Sequence, residues 1–491
     1  MDTLSRIMPQ IEHVVLLMLE NRSLDNVTGW IYENGKPQRL VPAKSSPDFD
    51  GLIKKTFFNS YDGKDLYVAH GTQDFSEPMR VPRYDPHEPF AHVTIQLFGD
   101  SGGNVPIPLK PGTPAKMKGF AYDYDASYED WSTLHEVMGA YRATQLSVLG
   151  NLALDYAISD RWFSSVPTQT NPNRAFTVCG TSLGRVKNSN EQAIEQFDTK
   201  TIWNALPTGT SWGLYYQDVW QNNQCFTHYT FPWIDRAVIP GRFAEIAKLD
   251  TFLERAKAGT LPAFTFLEPS WGYGKGIPGD GWVGKQGNDY HPPTEVGPGE
   301  EFVAEVYQAL TKNVPAWQKT LLIVTFDEHG GTYDHADPGW GAKKPDSHSG
   351  PAPDNFQFDR FGVRVPTIMA SPWIPAGTVF RSPSASYPYD HTSFISTILR
   401  WQGIDPVSAG LGQRVMVAPT FESVLSDKMR TDIPDIGTIA DTIAGPAPVP
   451  NFAGAEGVPV AVMRMIVDTS VTIEEVEARL KLYKARGGLP V

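Results

Sequence analysis

Residues 11–19, IEHVVLLML, are a short β-branched and apolar run that stops abruptly at Glu20-Asn21-Arg22-Ser23. A run of this length bounded by polar residues reads as a central strand that delivers polar groups at its carboxyl end. Leu321–Phe326, LLIVTF, repeats the pattern and ends as sharply at Asp327-Glu328-His329-Gly330-Gly331. In open α/β sheets ligands bind just beyond the carboxyl ends of the strands, so two strands that both end in carboxylates predict one shared crevice.

Outward from these strands, 142–158 (RATQLSVLGNLALDYAI) and 301–312 (EFVAEVYQALTK) carry apolar residues at three- and four-residue intervals, the period of a helix. A third apolar run, Val365–Ala370, precedes SPWIPAGTV. Strands alternating with helices predict an α/β protein, an α/β/α sandwich around a mostly parallel central sheet. Segment 31–120 is rich in Pro, Gly and Asp with little periodicity, and predicts long loop excursions around the rim of the crevice. Residues 434–452, rich in Pro, Ala and Gly, read as a linker or strap, and 471–486 (VTIEEVEARLKLYKAR) as a surface helix opened by the cap Thr472. The expected organisation is a large domain over 1–430 that holds the crevice, and a C-terminal extension over 431–491.

At 491 residues the chain exceeds the roughly 250–300 at which a single core stops growing, which allows a buried site in one large domain with appended elements. With 43 glycines and 41 prolines, many ordered loops are expected. A formal net charge of -13 without any basic stripe excludes a general nucleic-acid binder, and an acidic surface repels anionic membranes. No run of about 18 apolar residues occurs, so no transmembrane helix is predicted. The opening MDTLSRIMPQ lacks the apolar core of a signal peptide; the expected location is outside the cell if a leader has been removed and the cytoplasm otherwise. Cys179 and Cys225 can form at most one bridge, and without a CxxC spacing they point to neither zinc nor redox chemistry. Two buried thiols or one disulfide are the readings left.

Glu20, Asn21, Asp327 and Glu328 offer only oxygen ligands, with three formal negative charges. Hard divalent cations prefer such a set: Ca, Mg or Mn fit best and Zn fits through carboxylates, so one divalent ion is expected. Each pair alone would read as a helix cap or a turn; their joint position at two strand ends favours a metal. Thr170 lies in Thr168-Gln169-Thr170-Asn171-Pro172-Asn173-Arg174, ahead of the helical stretch AFTVCGTSLG. Backbone N–H groups and the dipole at such a helix start stabilise a phosphate and a developing alkoxide. Threonine is a poor nucleophile unless a base or a metal removes its proton, so a nearby ion would convert a cap into a catalyst. Arg174 offers a bidentate clamp for phosphate oxygens, against the commoner pairing of such an Arg with a carboxylate, and Asn173 stands beside it as a further substrate contact. His291 in NDYHP, His335 in YDH and His391 in YDHTS each lie beside Asp or in a loop flanked by Gly or Pro, where a carboxylate can orient the ring. A positioned imidazole can protonate a leaving alkoxide and then activate water. His87, in Asp85-Pro86-His87-Glu88, is a weaker candidate for substrate contact. Trp212, Tyr215, Tyr216, Trp220, Tyr229 and Trp233, with 271–273, can box a choline by cation–π contacts, although packing explains such aromatics more often.

Taken together, IEHVVLLMLENRSLDN, DRWFSSVPTQTNPNRAF, NDYHPPTEV, TFDEHGGTYDH, FGVRVPTIMASPWIPAGTV and YDHTSFISTILRWQG, in this order from residue 11 to 403, resemble one family. It is the phosphoesterase family that includes bacterial and plant non-specific phospholipase C and certain bacterial acid phosphatases. The resemblance implies an alkaline-phosphatase-like fold and a metal-dependent reaction through a phosphothreonine. It carries Glu20, Asn21, Asp327 and Glu328 over as metal ligands, Thr170 as the nucleophile and a further metal ligand, and His291 and His335 as histidines near the phosphate. His391 falls in the matching YDHTS pattern with a less defined role. Leu24 stands where the family often has Phe, and Thr332 where an aromatic often precedes Tyr-Asp-His; neither is a proposed ligand. The implied function is hydrolysis of phospholipids such as phosphatidylcholine to diacylglycerol and the phosphorylated headgroup. The alternatives are an acid phosphatase acting on phosphomonoesters and, from another class, an inactive phospholipid-binding protein. A sulfatase-like reading fails for lack of a CxPxR-type motif. The partners expected are a phospholipid or small phosphoester, with peripheral membrane or micelle contact only, and no obligate protein partner.

Overall fold

His13–Leu19 (β1) runs through the interior of a nine-stranded sheet, and every residue from Val14 to Leu19 is buried. The computed structural model describes residues 5–53, 55–128, 133–190, 193–194, 196–277, 281–438, 458, 462–463, 466 and 473–486. The other strands of the sheet are Arg39–Val41 (β2), Ala157–Ser159 (β3), Trp212–Tyr216 (β4), Ala244–Lys248 (β5), Phe264–Leu267 (β6), Thr320–Phe326 (β7), Thr367–Ala370 (β8) and Thr378–Phe380 (β9). Their order is β5-β4-β6-β1-β7-β8-β3-β9-β2. β1 pairs in parallel with both β6 and β7, in the registers Leu17↔Leu267 and Leu19↔Phe326. Among the nine, β8 alone runs against its neighbours β7 and β3.

Both β1 and β7 are apolar on both faces, so helices must cover both. The principal ones are Leu24–Thr28 (α1), Phe90–Phe98 (α2), Ser147–Asp155 (α3), Thr170–Cys179 (α4), Leu249–Ala258 (α5), Gly297–Thr311 (α6), Thr392–Trp401 (α7) and Ile473–Ala485 (α8). α3 and α5 pack on α6, with α3 against β3 and β8 and α6 against β7, while α4 and α7 pack on each other. The result is the α/β/α sandwich with a mostly parallel sheet.

Two sequence expectations change, and the cysteine alternative is decided. The helical period read across 142–158 is divided, because α3 ends at Asp155 and Ala157–Ser159 is a strand buried on both faces. A short, fully buried strand and a buried helix segment carry the same apolar signature. Segment 31–120 is more than loop: it supplies the edge strand β2, the hairpin Phe58–Tyr61/Lys64–Tyr67 and α2. Cys179 and Cys225 are buried and unbridged. The start of the Pro-rich strap lies on α3 and α6: Tyr307 Oη donates to Pro434 O at 2.9 Å, and Asn151 Nδ2 to Ile436 O at 3.1 Å. The rest of the strap, 439–452, and the cap Thr472 fall outside the described residues. α8 buries Val476, Leu480 and Tyr483 against Tyr273, a three- and four-residue stripe.

Two buried polar arrangements fix the helices and loops around the sheet. Leu146 gives α3 no side-chain cap, and Glu300 of α6 takes that role. Its carboxylate accepts from Val148 N at 2.7 Å, Leu149 N at 3.1 Å and Tyr290 Oη at 2.6 Å. Burial pushes its carboxyl up to about 7 against these donors. Elsewhere Arg364, just ahead of β8, donates to Asp334 Oδ1 at 2.9 Å, Asp25 Oδ1 at 3.0 Å and Asp50 O at 2.7 Å. His335 joins this network: its Nδ1–H donates to Asp25 Oδ2 at 2.6 Å, its Nε2 lies 3.3 Å from Asp50 Oδ1, and its ring stacks on Phe57. The network ties α1, which follows β1, to the loop that follows β7.

Glu300→Ala leaves buried N–H groups without acceptors and is expected to lower stability by about 2–4 kcal/mol in denaturant titrations, with an unaltered sheet signal. For His335, burial by itself lowers the pKa, but Asp25 and Asp50 outweigh it and hold it at about 9. A folded pKa above the unfolded one, about 6.5, means that the stabilisation is fully present below that value and is lost as pH rises through the folded pKa. His335→Gln is therefore expected to be less stable than the parent by up to about 3 kcal/mol near neutral pH, the gap closing as pH is raised. A gap that stays constant up to strongly alkaline pH would refute a charged His335.

Candidate active site

Because β1 and β7 are adjacent and parallel with Leu19 opposite Phe326, Glu20 and Asp327 leave the sheet side by side. Asp327 Oδ1 accepts from Asn21 N at 3.1 Å and Glu328 N at 2.8 Å, and its Oδ2 accepts from Arg174 Nε at 3.0 Å. Arg174 Nη2 lies 3.3 Å from Glu20 Oε1 and donates to the carbonyls of Met18 and Leu19. Glu328 Oε2 accepts from Gly330 N at 2.7 Å. The two strand-end loops approach so closely that a Cβ at Gly330 would sit 2.1 Å from Asn21 O. Asn21 itself has φ 61°, a left-handed conformation that asparagine tolerates.

Thr170 is the first residue of α4 and is buried. Arg174 follows one turn later on the same helix face, and its contacts with Glu20 and Asp327 tie α4 to the carboxylates. The helix start is less open to an anion than its sequence suggests, since Asn171 N–H is taken by Asn188 Oδ1 at 2.7 Å and Pro172 has no N–H. The two residues expected to bind substrate here are largely engaged by the protein. Asn173 Oδ1 accepts from Val166 N, and its Nδ2 donates to the carbonyls of Val166 and Thr168. Arg174 is committed through Nε and Nη2; its Nη1 has no hydrogen-bond partner among the described residues. Trp271 and Phe226 pack over its guanidinium at 4.8 and 5.6 Å. The aromatics expected to box a choline thus enclose protein cations: Arg236 covers Trp233 and Lys248 covers Tyr216, while Trp212, Tyr215, Trp220 and Tyr229 are buried in the core.

The histidines separate by place. His291 Nε2 lies 4.0 Å from Glu20 Oε2. With Asp85 and Glu88 it forms a group whose ligand atoms all fall within 4.8 Å of one another, and Asn21 Nδ2 donates to Glu88 Oε1 at 2.8 Å. His391 Nε2–H donates to the carbonyl of Asp327 at 2.5 Å, and burial lowers its pKa to about 4, so it is neutral. His87 stacks on His92 and Tyr128 at the rim. His335 has its contacts in the Arg364 network, with Asp25, Asp50 and Phe57.

Four groups escaped the sequence reading. Asp85 and Glu88 flank the singled-out His87 in Asp85-Pro86-His87-Glu88, and their acidity was the available signal. His329, 3.3 Å from Glu328 and bonded to Gln96, is held neutral by burial, which lowers its pKa to about 3. Glu268 follows β6 directly, so a third carboxylate stands at the ends of the adjacent strands β6, β1 and β7. It is fully buried and accepts from Thr227 N at 2.8 Å, and burial pushes its carboxyl up to about 7. Its cue was present in Phe264-Thr265-Phe266-Leu267-Glu268, the same apolar run ended by an acid.

Burial raises Asp327 to about 7 in spite of Arg174, with Glu20 adding to the rise, and raises Glu328 well above its ordinary value, with Glu88 and Asp327 contributing. Asn21 Oδ1 and Glu328 Oε1 are buried and have no hydrogen-bond partner among the described residues. Oxygens so placed, in a group with more carboxylates than cations, fit a hard divalent ion.

The model of the Phosphoesterase family matches residues 11–404. Non-specific phospholipase C4 of Arabidopsis thaliana is 35% identical to this chain, covering 87% of it and 74% of the plant protein. Non-hemolytic phospholipase C of Burkholderia pseudomallei is 24% identical, covering 79% of this chain and 54% of its own. A solved protein of the alkaline phosphatase superfamily from Vibrio parahaemolyticus overlaps 55% of this chain and 63% of its own with a TM-score of 0.28 and 14% identity, too slight a likeness to argue from. The family match over most of the chain and the plant relative agree, and the chain belongs to the Phosphoesterase family.

Proposed function

We propose that this chain is a phospholipase C that hydrolyses phospholipids such as phosphatidylcholine to diacylglycerol and the phosphorylated headgroup, with Thr170 as nucleophile. One observation carries the reading: Thr170 opens α4 one turn ahead of Arg174, whose guanidinium binds Glu20 and Asp327. The names of the plant and bacterial relatives support the substrate class. Glu20, Asn21, Asp327 and Glu328, with the Thr170 hydroxyl, are the residues that would hold one divalent ion, of Ca, Mg, Mn or Zn. Bound there, such an ion lowers the pKa of a hydroxyl and neutralises charge on a phosphate oxygen.

The Thr170 hydroxyl gives up its proton to solvent as its oxygen attacks phosphorus in line with the diacylglycerol oxygen, which departs as the phosphothreonine forms, and the Thr170 oxygen regains a proton from solvent when that bond is cleaved. His291, whose Nε2 faces Glu20, delivers a proton to the departing oxygen. The same ring then takes a proton from the water that cleaves the phosphothreonine and frees the headgroup phosphate. His391 acts through the Asp327 carbonyl, which it holds in place. Among the described residues Arg174 is the one cationic side chain hydrogen-bonded to Asp327, and it is already shared with Glu20. A phosphomonoester dianion needs more positive groups than this, so a singly charged diester is favoured over the acid phosphatase reading.

Thr170→Ala is expected to lower phosphocholine release from phosphatidylcholine about 10³-fold or more, without loss of thermal stability. Chelation should stop the parent enzyme, and one of the four ions should restore it. Turnover of p-nitrophenyl phosphate alone would move the function to acid phosphatase, and unchanged rates in the variant would remove Thr170 as nucleophile. A chain that binds phospholipid and hydrolyses neither substrate would be the inactive binding protein.

A further inference from the structure

We propose that the loop 101–118 is the element by which this chain docks on a phospholipid surface carrying anionic lipid. The proposal rests on the phospholipid reading above and adds to it the part of the chain that meets the lipid. In SGGNVPIPLKPGTPAKMK there is no Asp or Glu, while Lys110, Lys116 and Lys118 all lie within it, in a chain of formal net charge -13. Ile107 is 92% exposed, the most exposed large hydrophobic side chain among the described residues; the next, Val407, is 59% exposed. A single exposed apolar residue is ordinary on a protein surface. This one is held out between Pro106 and Pro108, next to exposed lysines.

The base of the loop is fixed. Val105 and Leu109, on either side of Ile107, pack on a buried cluster with Tyr84, Leu97, Phe120 and Tyr333. Lys118 turns inward, donating to Phe58 O and lying 3.8 Å from the Phe58 ring, which leaves Lys110 and Lys116 directed outward. Asn59 Nδ2 donates to Met117 O at 3.0 Å, which joins the loop to the hairpin Phe58–Tyr61/Lys64–Tyr67, where Tyr67 is 55% exposed. Asp62 and Asp65 outnumber Lys64 on that hairpin, and Asp100 at the foot of the loop acts on Lys116, so Lys110, three residues after Ile107, is the cation of the loop tip.

These features match the requirements of a shallow lipid anchor. Prolines set the backbone in advance, so little order is lost on insertion. An aliphatic tip enters the headgroup boundary, and flanking lysines are drawn to anionic lipid against the repulsion of the acidic remainder. The same packing reaches the site: Phe120 lies 5.2 Å from Tyr333 and 6.1 Å from His329, whose Nδ1 is 3.3 Å from Glu328. A lipid surface gripped by the loop is thereby held at a set position relative to the carboxylates.

The test is sedimentation of the full chain with vesicles of phosphatidylcholine, with and without phosphatidylglycerol, on the Thr170→Ala background so that lipid is not consumed. Ile107→Ser is expected to lower vesicle binding about tenfold. Lys110→Glu with Lys116→Glu should abolish both the preference for phosphatidylglycerol and its salt sensitivity. Val407→Ser, on a different surface loop, should bind as the parent does. In the otherwise unaltered chain, Ile107→Ser should turn over a short-chain phosphatidylcholine below its micelle-forming concentration within about twofold of the parent rate. Vesicle binding unchanged by Ile107→Ser, an equal loss in Val407→Ser, or a parallel loss on the soluble substrate would each overturn the proposal. If the parent hydrolyses no phospholipid, the functional reading fails while vesicle binding still decides the role of the loop.

Discussion

The site depends on one guanidinium. Arg174 and its partners Glu20 and Asp327 are almost completely withdrawn from water. Charges so placed are costly unless paired, and removal of one partner of such a pair typically costs about 3–5 kcal/mol because the other is left uncompensated. Arg174 also bonds the carbonyls that end β1, so the strand end, the helix that carries Thr170 and the carboxylate of the neighbouring strand share one group. One positive charge cannot balance Glu20, Asp327 and Glu328. Burial is the main cause that raises the Asp327 and Glu328 pKa values, and the neighbouring carboxylates Glu20, Asp327 and Glu88 add to it.

Sheet topology divides the charged edge into two halves with different chemistry. On one side, the parallel strands β6, β1 and β7 end in Glu268, Glu20 and Asp327, an acidic row served by Arg174. On the other, β3 is followed by Asp160 and β9 by Arg381, which bind each other through two contacts of 2.7 Å. The antiparallel β8 lies between the halves, and its reversed direction brings Arg364 to the same edge. Asp25, Asp334 and His335 have metal-ligand spacing, yet Arg364 is bonded to both carboxylates, so their charge is already met by the protein. Among the described residues the acidic crevice has no equivalent arginine for Glu328.

The central part of this arrangement was legible in the sequence because it is local. An apolar run that ends on a carboxylate states both the strand and what it delivers, and β1 and β7 were read on that ground. β6 carries the same sign in Glu268, but it is only four residues long and lies among aromatics that read as a choline box. What no local pattern could state was pairing. The direction of β8, the edge position of β2 and the partners of Arg174 are set by residues far apart in the chain, such as Asp327 for Arg174. Asn173 shows the same limit: its amide suits a phosphate as well as it suits the carbonyls of Val166 and Thr168, and only the turn ahead of α4 decides between them. His335 stands in a motif beside the carboxylates that follow β7, but the chain turns between them and delivers its ring to Asp25 and Asp50.

Burial also sorts the histidines by what they can do with a proton. His391 and His329 are enclosed, and their pKa values of about 4 and about 3 leave them neutral across the physiological range. They can donate a hydrogen bond or hold a carbonyl, but a ring that resists protonation is a poor source of a proton for a leaving oxygen. His335 has the opposite character: Asp25 and Asp50 keep it charged, so it gives up a proton reluctantly, and it lies in the Arg364 network. His291 differs from all three. It faces Glu20, and Asp85 and Glu88 stand beside it. A proton shuttle must take up and release a proton within one turnover, and of these four rings His291 is the one that lies beside Glu20, Asp85 and Glu88.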